Sequence, residues 1–421
     1  MAVNLIVITF FILAVFSTVK YGFIQFRAFK ETKKILVNEK NKSSYSSFLV
    51  SLAAHIGTGN IVGISTALIY GGPGSLFWMW IFSLFSVIFS LMENTLAQVY
   101  KVKINGENRG GASFYILRGF NNRFLATLFS IFFLLTNTIF FQPLQVNTIS
   151  ESLSLVFGID KIIILVLLFL FTYFVIFKGT KRIVRFCEHI VPIMSIGYIS
   201  VTIMVILVNI KFFPSVITLI LREAFSFKAI TSGTATSCLI IGFKRSLFSN
   251  ETGLGTAPSI SAMADTKKPL QQGFVQVIGA FTDTIIICSL TGFMILIYQF
   301  DLKLYQGVDL IIYIFERILG DFGIYLALFF MLSFAIATVV SQFYLGESNL
   351  LFMVANNKRR KVFIFLYKIL FLIGIAIGVN FRTKAIFGFV DQGMILLGCV
   401  NLYALYRLRN DFKREIRNYY N

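Results

Sequence analysis

The chain has 421 residues, of which 57% are apolar and only 14% are charged, and its mean hydropathy is +0.80. A soluble domain is about 45–50% apolar and about 25% charged, so this composition predicts an integral membrane protein. A net charge of +19 would indicate a nucleic-acid partner only if the basic residues formed one surface.

Eleven segments of the chain meet the criterion of about 20 mostly apolar residues for a membrane-spanning helix. The first lacks the basic start and cleavage site of a signal peptide, so it is counted as a span. The predicted spans are 2–22, 46–71, 74–99, 123–157, 160–178, 184–209, 229–247, 271–298, 323–352, 361–381 and 384–406.

The 38 basic residues are distributed very unevenly between alternate connections. One set of six connections carries 29 of them, the other set carries 8, and Lys368 lies within a span. The positive-inside rule therefore predicts an N-terminus outside and a C-terminus in the cytoplasm. Because the charge is divided among six short connections, attraction to anionic lipid accounts for it and a nucleic-acid partner is not expected.

Two of the predicted helices contain stretches that disfavour a continuous helix. Residues 57–63 read Gly-Thr-Gly-Asn-Ile-Val-Gly, and residues 231–237 read Thr-Ser-Gly-Thr-Ala-Thr-Ser. Small residues also allow membrane helices to pack closely, and this alternative explains either stretch when it is taken alone.

The positions of the two stretches favour interruption. Without the first span, the other ten divide into 46–209 and 229–406, and each half begins with one stretch. Five spans is an odd number, so the halves enter from opposite sides of the membrane, as in an inverted repeat. The exposed N–H and carbonyl groups of two breaks suit the carboxylate and the ammonium of an amino acid. The predicted fold is all-α, with regions 1–45 (first helix and basic loop), 46–209 (first repeat), 210–407 (an amphipathic outer segment and second repeat) and 408–421 (basic tail).

Several motifs, spread along almost the whole chain, resemble the alanine/glycine:cation symporter family, sodium-coupled amino-acid carriers with the leucine-transporter-type fold. The most specific are Gly57-Thr58-Gly59-Asn60 and the stretch 249–258, Ser-Asn-Glu-Thr-Gly-Leu-Gly-Thr-Ala-Pro. Lys181-Arg182-Ile183 and Gly346-Glu347 also match. The resemblance implies cation-driven import of a small neutral amino acid, alanine or glycine, by a multi-pass protein of the cell membrane that is not an enzyme and has no organic cofactor.

The resemblance also implies roles for particular residues. The substrate-binding set is Thr58, Gly59, Asn60, Gln145, Ser232, Gly233 and Thr234. The cation-binding set is Ala53, Ile56, Phe334, Thr338 and Ser341. The family has two adjacent threonines where this chain has Ala337-Thr338, and one lost hydroxyl weakens a sodium site unless Ser341 or a water replaces it. Sodium is therefore the expected coupling ion, with a proton as the alternative.

The remaining polar residues within spans each have two interpretations. Asp283 is a candidate for ion coupling or gating because an ionisable group deep in a span is expensive. Asn250 and Glu251 are expected to cap a helix or close a gate at its cytoplasmic end. Glu93 is expected to pair with or snorkel towards Lys101 and Lys103. His55 suits either a proton relay or ordinary packing.

Two other classes of membrane protein fit the sequence less well. A membrane enzyme would need an acid–base pair, for which only His55 with Thr58 offers a weak case. A channel would need a polar stripe along several spans, and the long Phe, Ile and Leu runs oppose it. The four cysteines have no metal-ligand spacing. The sequence leaves the preferred amino acid and the oligomeric state open.

Overall fold

The computed structural model describes residues 2–36, 42–225, 238–298, 307–355, 357–380 and 383–421, which are almost entirely helical. The first ten helices are α1 (Ala2–Lys20), α2 (Ala28–Leu36), α3 (Lys42–His55), α4 (Val62–Gly71), α5 (Ser75–Val99), α6 (Ala112–Phe120), α7 (Arg123–Leu135), α8 (Gln142–Phe157), α9 (Lys161–Phe171) and α10 (Thr180–Val208). The others are α11 (Phe213–Ala224), α12 (Cys238–Asn250), α13 (Pro258–Ser261), α14 (Pro269–Phe281), α15 (Ser289–Ile297), α16 (Val308–Leu319), α17 (Asp321–Val354), α18 (Arg360–Asn380), α19 (Thr383–Arg407) and α20 (Arg409–Tyr420).

Two pairs of these helices are joined through a π-helical turn, and a third such turn follows α9. The turns are Thr136–Phe141 between α7 and α8, Thr172–Ile176 after α9, and Thr282–Cys288 between α14 and α15. Seven helices in the described part of the chain are long and apolar enough to cross a membrane, and two bent pairs raise the number to nine. All eleven predicted segments overlap a helix. Lys161–Ile176 and α12 are too short to qualify as spans, so the number eleven stays a prediction.

A short β-hairpin corrects the expectation of an all-α chain. Strands β1 (Val102–Ile104) and β2 (Glu107–Arg109) pair antiparallel across a two-residue turn. Asn105 and Gly106 both have positive φ, 54° and 82°. Asn-Gly between short strands is a strong sequence signal for this kind of turn, because both residues tolerate left-handed backbone.

The first predicted break is present in the structure. Helix α3 ends at His55, a 3₁₀ turn covers Thr58–Asn60, and α4 begins at Val62. The two halves are bent by 57° relative to each other. Glycine removes side-chain constraints and lowers helix stability, and two of the four residues from 57 to 60 are glycine. The half-helix α3 packs against α10, α14 and α17.

A second interruption lies between α12 and α13, at residues 251–257. Three of its residues have left-handed backbone, namely Glu251, Gly253 and Gly255. Helix α12 packs against α4 and α5, and its last turn lies beside the first break. The break predicted at 231–237 lies outside the described residues.

Helix α20 packs beneath the start of α14 and the end of α5. Tyr100 donates to Asp411 at 2.8 Å, and burial together with this hydrogen bond raises the pKa of Tyr100 to about 12. The phenol therefore stays a donor at neutral pH. Tyr419 donates to Glu31 of α2 at 2.8 Å, so the C-terminal helix joins elements from both ends of the chain.

Replacing Phe412 with Ala is expected to destabilise this docking. Its side chain is fully buried and stacks edge-on against Tyr21 with centroids 5.1 Å apart. A Phe-to-Ala change in a packed core costs about 3–5 kcal/mol. We expect a lower melting temperature of the purified protein in detergent, whereas the exposed neighbour Lys413→Ala serves as the control. Equal melting temperatures for both variants would contradict the docking.

Candidate functional site

The two breaks meet at a narrow pocket in the interior of the helix bundle. Its lining combines the backbone of the first break, two amide side chains, two aromatic rings and one carboxylate. These are His55, Gly57, Gly59, Gln145, Gln342, Phe141, Phe248 and Glu251, with Ala54 beside them. The pocket therefore offers N–H groups, amides and a negative charge within an otherwise apolar bundle.

The first break is held against α8 by its backbone. Gln145 Oε1 accepts a hydrogen bond from the N–H of Thr58 at 2.9 Å. A Cβ on Gly57 would lie 2.7 Å from Thr338 Oγ1 and 2.9 Å from Gln145 Oε1, and one on Gly59 would lie 2.7 Å from Phe248 Cε1. Only glycine permits such close approach. The glycines therefore let the break contact α8, α12 and α17 together.

The predicted cation-binding residues are brought together between α3 and α17. Thr338 Oγ1 lies 2.9 Å from the carbonyl of Ala53, 3.3 Å from that of Ile56 and 2.9 Å from that of Phe334. Ser341 Oγ donates to the carbonyl of Thr338 at 2.9 Å. These hydroxyl and carbonyl groups are neutral oxygen ligands of the kind that a hard cation such as sodium prefers.

Asp283 joins the two broken helices through hydrogen bonds. Its carboxylate is fully buried and accepts from Asn60 Nδ2 at 2.5 Å, from Ser249 Oγ, and from Thr284 Oγ1 at 3.2 Å. Asn60 belongs to the first break, and Ser249 ends α12 just before the second. Among the described residues, no basic side chain forms an ion pair with Asp283. Its three neutral donors compensate part of the desolvation cost of burying the charge.

Asn250 and Glu251 lie where α12 ends and the second break begins. Asn250 Oδ1 accepts from Thr252 N at 3.2 Å and Thr252 Oγ1 at 2.9 Å, so it orders the first turn of the break. Glu251 lines the pocket. The expected gating role of the two residues stays a prediction.

Glu93 corrects a second expectation, because it does not pair with Lys101 or Lys103. It is fully buried, and its carboxylate accepts from the N–H groups of Gly253 at 3.2 Å and Gly255 at 3.1 Å and from Asn401 Nδ2 at 2.8 Å. It therefore satisfies the unpaired N–H groups of the second break. Proximity in sequence favoured the lysines, whereas the fold brings the glycines to this carboxylate.

An ion pair lies over the aromatic wall of the pocket. Arg245 of α12 and Asp391 of α19 are 2.6 Å apart, and the Arg245 guanidinium lies 5.7 Å from the Phe248 ring centre. The last helix is thereby tied to the helix that carries Phe248. Neither Phe248 nor Gln342 was among the residues predicted from the sequence to form the site.

Ser232, Gly233 and Thr234 lie outside the described residues. His55 is buried, and its Nδ1 has no hydrogen-bond partner among the residues that the structure describes. The same holds for Gln342 Oε1. Both side chains line the pocket, so each leaves a polar atom for a bound molecule.

Residues 1–421 match the model of the Sodium:alanine symporter family. Amino-acid carrier protein AlsT of Bacillus subtilis is 34% identical over 97% of this chain and 87% of that protein. Probable sodium/glutamine symporter GlnT of Bacillus subtilis is 34% identical over 99% and 88%, respectively. Sodium/alanine symporter AgcS of Methanococcus maripaludis is 29% identical over 93% and 88%.

Solved structures of other transporters share the fold. MhsT in complex with L-phenylalanine superimposes with a TM-score of 0.61 at 14% identity, covering 85% of this chain and 87% of that chain. The manganese transporter of Eremococcus coleocola gives 0.57 at 13% identity, covering 86% and 76%. These likenesses extend over most of the helix bundle.

Proposed function

This chain belongs to the sodium:alanine symporter family, and from that premise we propose that it imports a small neutral amino acid together with sodium. The observation that carries the proposal is the group of oxygens around Thr338, next to the first break. Thr338 Oγ1 has three backbone carbonyls within 3.3 Å. Two of them, from Ala53 and Ile56, belong to the half-helix that ends at the pocket. A sodium ion bound there would stabilise the end of α3 and hence the shape of the break.

The substrate would bind between the two breaks. Its carboxylate would accept hydrogen bonds from N–H groups of the first break near Thr58 and Gly59, supported by Gln145 and Asn60. Helix ends favour anions at their N-terminal side because N–H groups point outwards there. The narrowness of the pocket and the ring of Phe248 against Gly59 favour a side chain as small as that of alanine or glycine.

Transport would follow from alternating access to this site. In carriers built on two broken helices, one group of helices rocks against the rest and exposes a midplane site to each side in turn. Sodium and substrate would each stabilise the same arrangement of the first break, and linkage makes this coupling reciprocal. We place the N-terminus outside and the C-terminus in the cytoplasm of a cell-membrane protein, on the basis of the 29 basic residues in one set of connections.

A proton as the coupling ion is the second candidate, and two observations favour it. Ala337 removes a hydroxyl that the family would supply beside Thr338. Asp283 is a buried carboxylate linked to both broken helices through Asn60 and Ser249. A proton or a cation on Asp283 would neutralise its charge during the conformational change.

Uptake into liposomes separates these candidates. We expect radiolabelled alanine or glycine to accumulate when sodium is higher outside, and accumulation to stop when choline replaces sodium at a fixed proton gradient. Accumulation that follows the proton gradient and ignores sodium would replace the first proposal by the second. A panel of small amino acids without any gradient-dependent uptake would reject both.

A further inference from the structure

We propose that Glu251 binds the ammonium group of the transported amino acid, an inference that rests on the proposed function. Its carboxylate lines the pocket where the two breaks meet. The same pocket is lined by Gly59 of the first break, beside the N–H groups that we assign to the substrate carboxylate. A carboxylate and backbone N–H groups in one pocket match the two charged ends of an α-amino acid.

Three carboxylates are buried around the breaks, and their partners differ. Glu93 accepts from two backbone N–H groups and an amide. Asp283 accepts from an amide and two hydroxyls. For the Glu251 carboxylate, in contrast, the described residues show no hydrogen bond, and the hydroxyl of nearby Thr256 is itself without a partner among them. Glu251 is thus the member of the three whose charge is least compensated by the protein itself.

No basic residue of the described chain forms an ion pair with Glu251, although only 8% of its surface is exposed. A buried charge without a partner is expensive and indicates a functional site in a membrane protein. Arg245, in the helix that ends just before Glu251, pairs with Asp391 instead. A cation delivered by the substrate would supply the missing partner.

The backbone of Glu251 adds an independent observation. Its φ is +50°, a left-handed conformation that is unfavourable for residues with a Cβ. At the other two left-handed positions of the same break the chain has Gly253 and Gly255. Glycine at position 251 would remove this backbone strain. The presence of a glutamate there therefore indicates a role for its side chain. Strain of this kind is typical of functional positions.

Binding measurements on the purified full-length chain test this assignment. The probes are L-alanine, glycine and propionate, the last of which is alanine without its ammonium group. We expect the wild type to bind alanine or glycine and to bind propionate at least 100-fold more weakly. In Glu251→Gln the affinity for the amino acid should fall about 10- to 100-fold, as expected for a lost hydrogen bond to a charged group. Propionate binding should not change, so the ratio between the affinities for the amino acid and for propionate should fall.

Two further variants keep the outcome interpretable. Glu316→Gln removes an exposed carboxylate outside the pocket and should match the wild type. Glu251→Asp keeps the charge with a shorter reach, so it should weaken amino-acid binding while retaining the rejection of propionate. If Glu251→Gln does not fold, as judged by its melting curve, the Asp variant carries the test.

The possible failures are distinct. The role of Glu251 alone would be overturned if Glu251→Gln kept both the wild-type affinity for the amino acid and the wild-type rejection of propionate. An affinity of Glu251→Asp unchanged from the wild type would also overturn it. A wild-type chain that binds neither alanine nor glycine nor any other small neutral amino acid would overturn the proposed function, and this inference with it.

Discussion

Replacing Thr338 with Ala is expected to raise the sodium concentration for half-maximal amino-acid uptake by at least about tenfold. The hydroxyl is the side-chain oxygen at the centre of the group formed with the carbonyls of Ala53, Ile56 and Phe334. Hard cations bind through several oxygens at once, so removal of a central one weakens the whole shell. Because Ala337 supplies no second hydroxyl, the effect should be large.

The measurement is the sodium dependence of alanine or glycine uptake into liposomes. Thr338→Ser keeps the hydroxyl and should retain most of the sodium affinity. Thr202→Ala is a matched control, since Thr202 is also buried but its hydroxyl bonds to Tyr198 of its own helix at 2.7 Å. An unchanged sodium dependence in Thr338→Ala would exclude this group of oxygens as the coupling site.

Replacing Asp283 with Asn is expected to reduce concentrative uptake by more than tenfold while exchange of internal for external substrate persists. The carboxylate accepts from Asn60 Nδ2 and Thr284 Oγ1 as well as Ser249. An amide of the same shape would turn an NH₂ group towards one of these donors. Leaving buried donors unsatisfied costs about 1–3 kcal/mol each, and the charge that links the breaks is lost.

Comparing net uptake with exchange distinguishes a coupling role from a collapsed fold. Exchange requires an intact substrate site, whereas accumulation also requires coupling to an ion gradient. Asp321→Asn alters an exposed carboxylate at the start of α17 and serves as the control. Wild-type accumulation by the Asp283→Asn variant would show that the interior carboxylate is dispensable for coupling.

Much of the architecture was predictable from hydropathy alone. Each of the predicted apolar segments overlaps a helix, because a bilayer imposes a length and a composition that few other structures share. The first break was also predictable, since Gly57, Gly59 and Asn60 are poor helix formers within an apolar run. Asn105-Gly106 also carries a strong local signal for a turn, although it lies in a polar connection between two apolar helices.

The interruption at 251–257 was not predicted, because its sequence signal is ambiguous. Hydropathy does not distinguish a helix that ends at the membrane surface from one that stops in the interior. The stretch 251–257 is short and contains two glycines, so it resembled an ordinary connection between two helices. The interruption is recognisable only in the tertiary structure, where Glu93, over 150 residues earlier, accepts hydrogen bonds from its N–H groups. Such long-range compensation leaves no trace in a local pattern.

The first half-helix has a consequence for how the chain is made. Helix α3 begins Lys-Ser-Ser-Tyr-Ser-Ser and packs on α10, α14 and α17, all of which are synthesised later. The Thr338 hydroxyl that meets the Ala53 carbonyl follows it by 285 residues. Until then the polar face of α3 and the unpaired backbone groups at its end have no hydrogen-bond partners in the protein, and lipid does not supply them. Membrane integration of α3 is therefore expected to be completed late, after α17 has left the ribosome, so that biogenesis proceeds from the intact helices towards the broken ones.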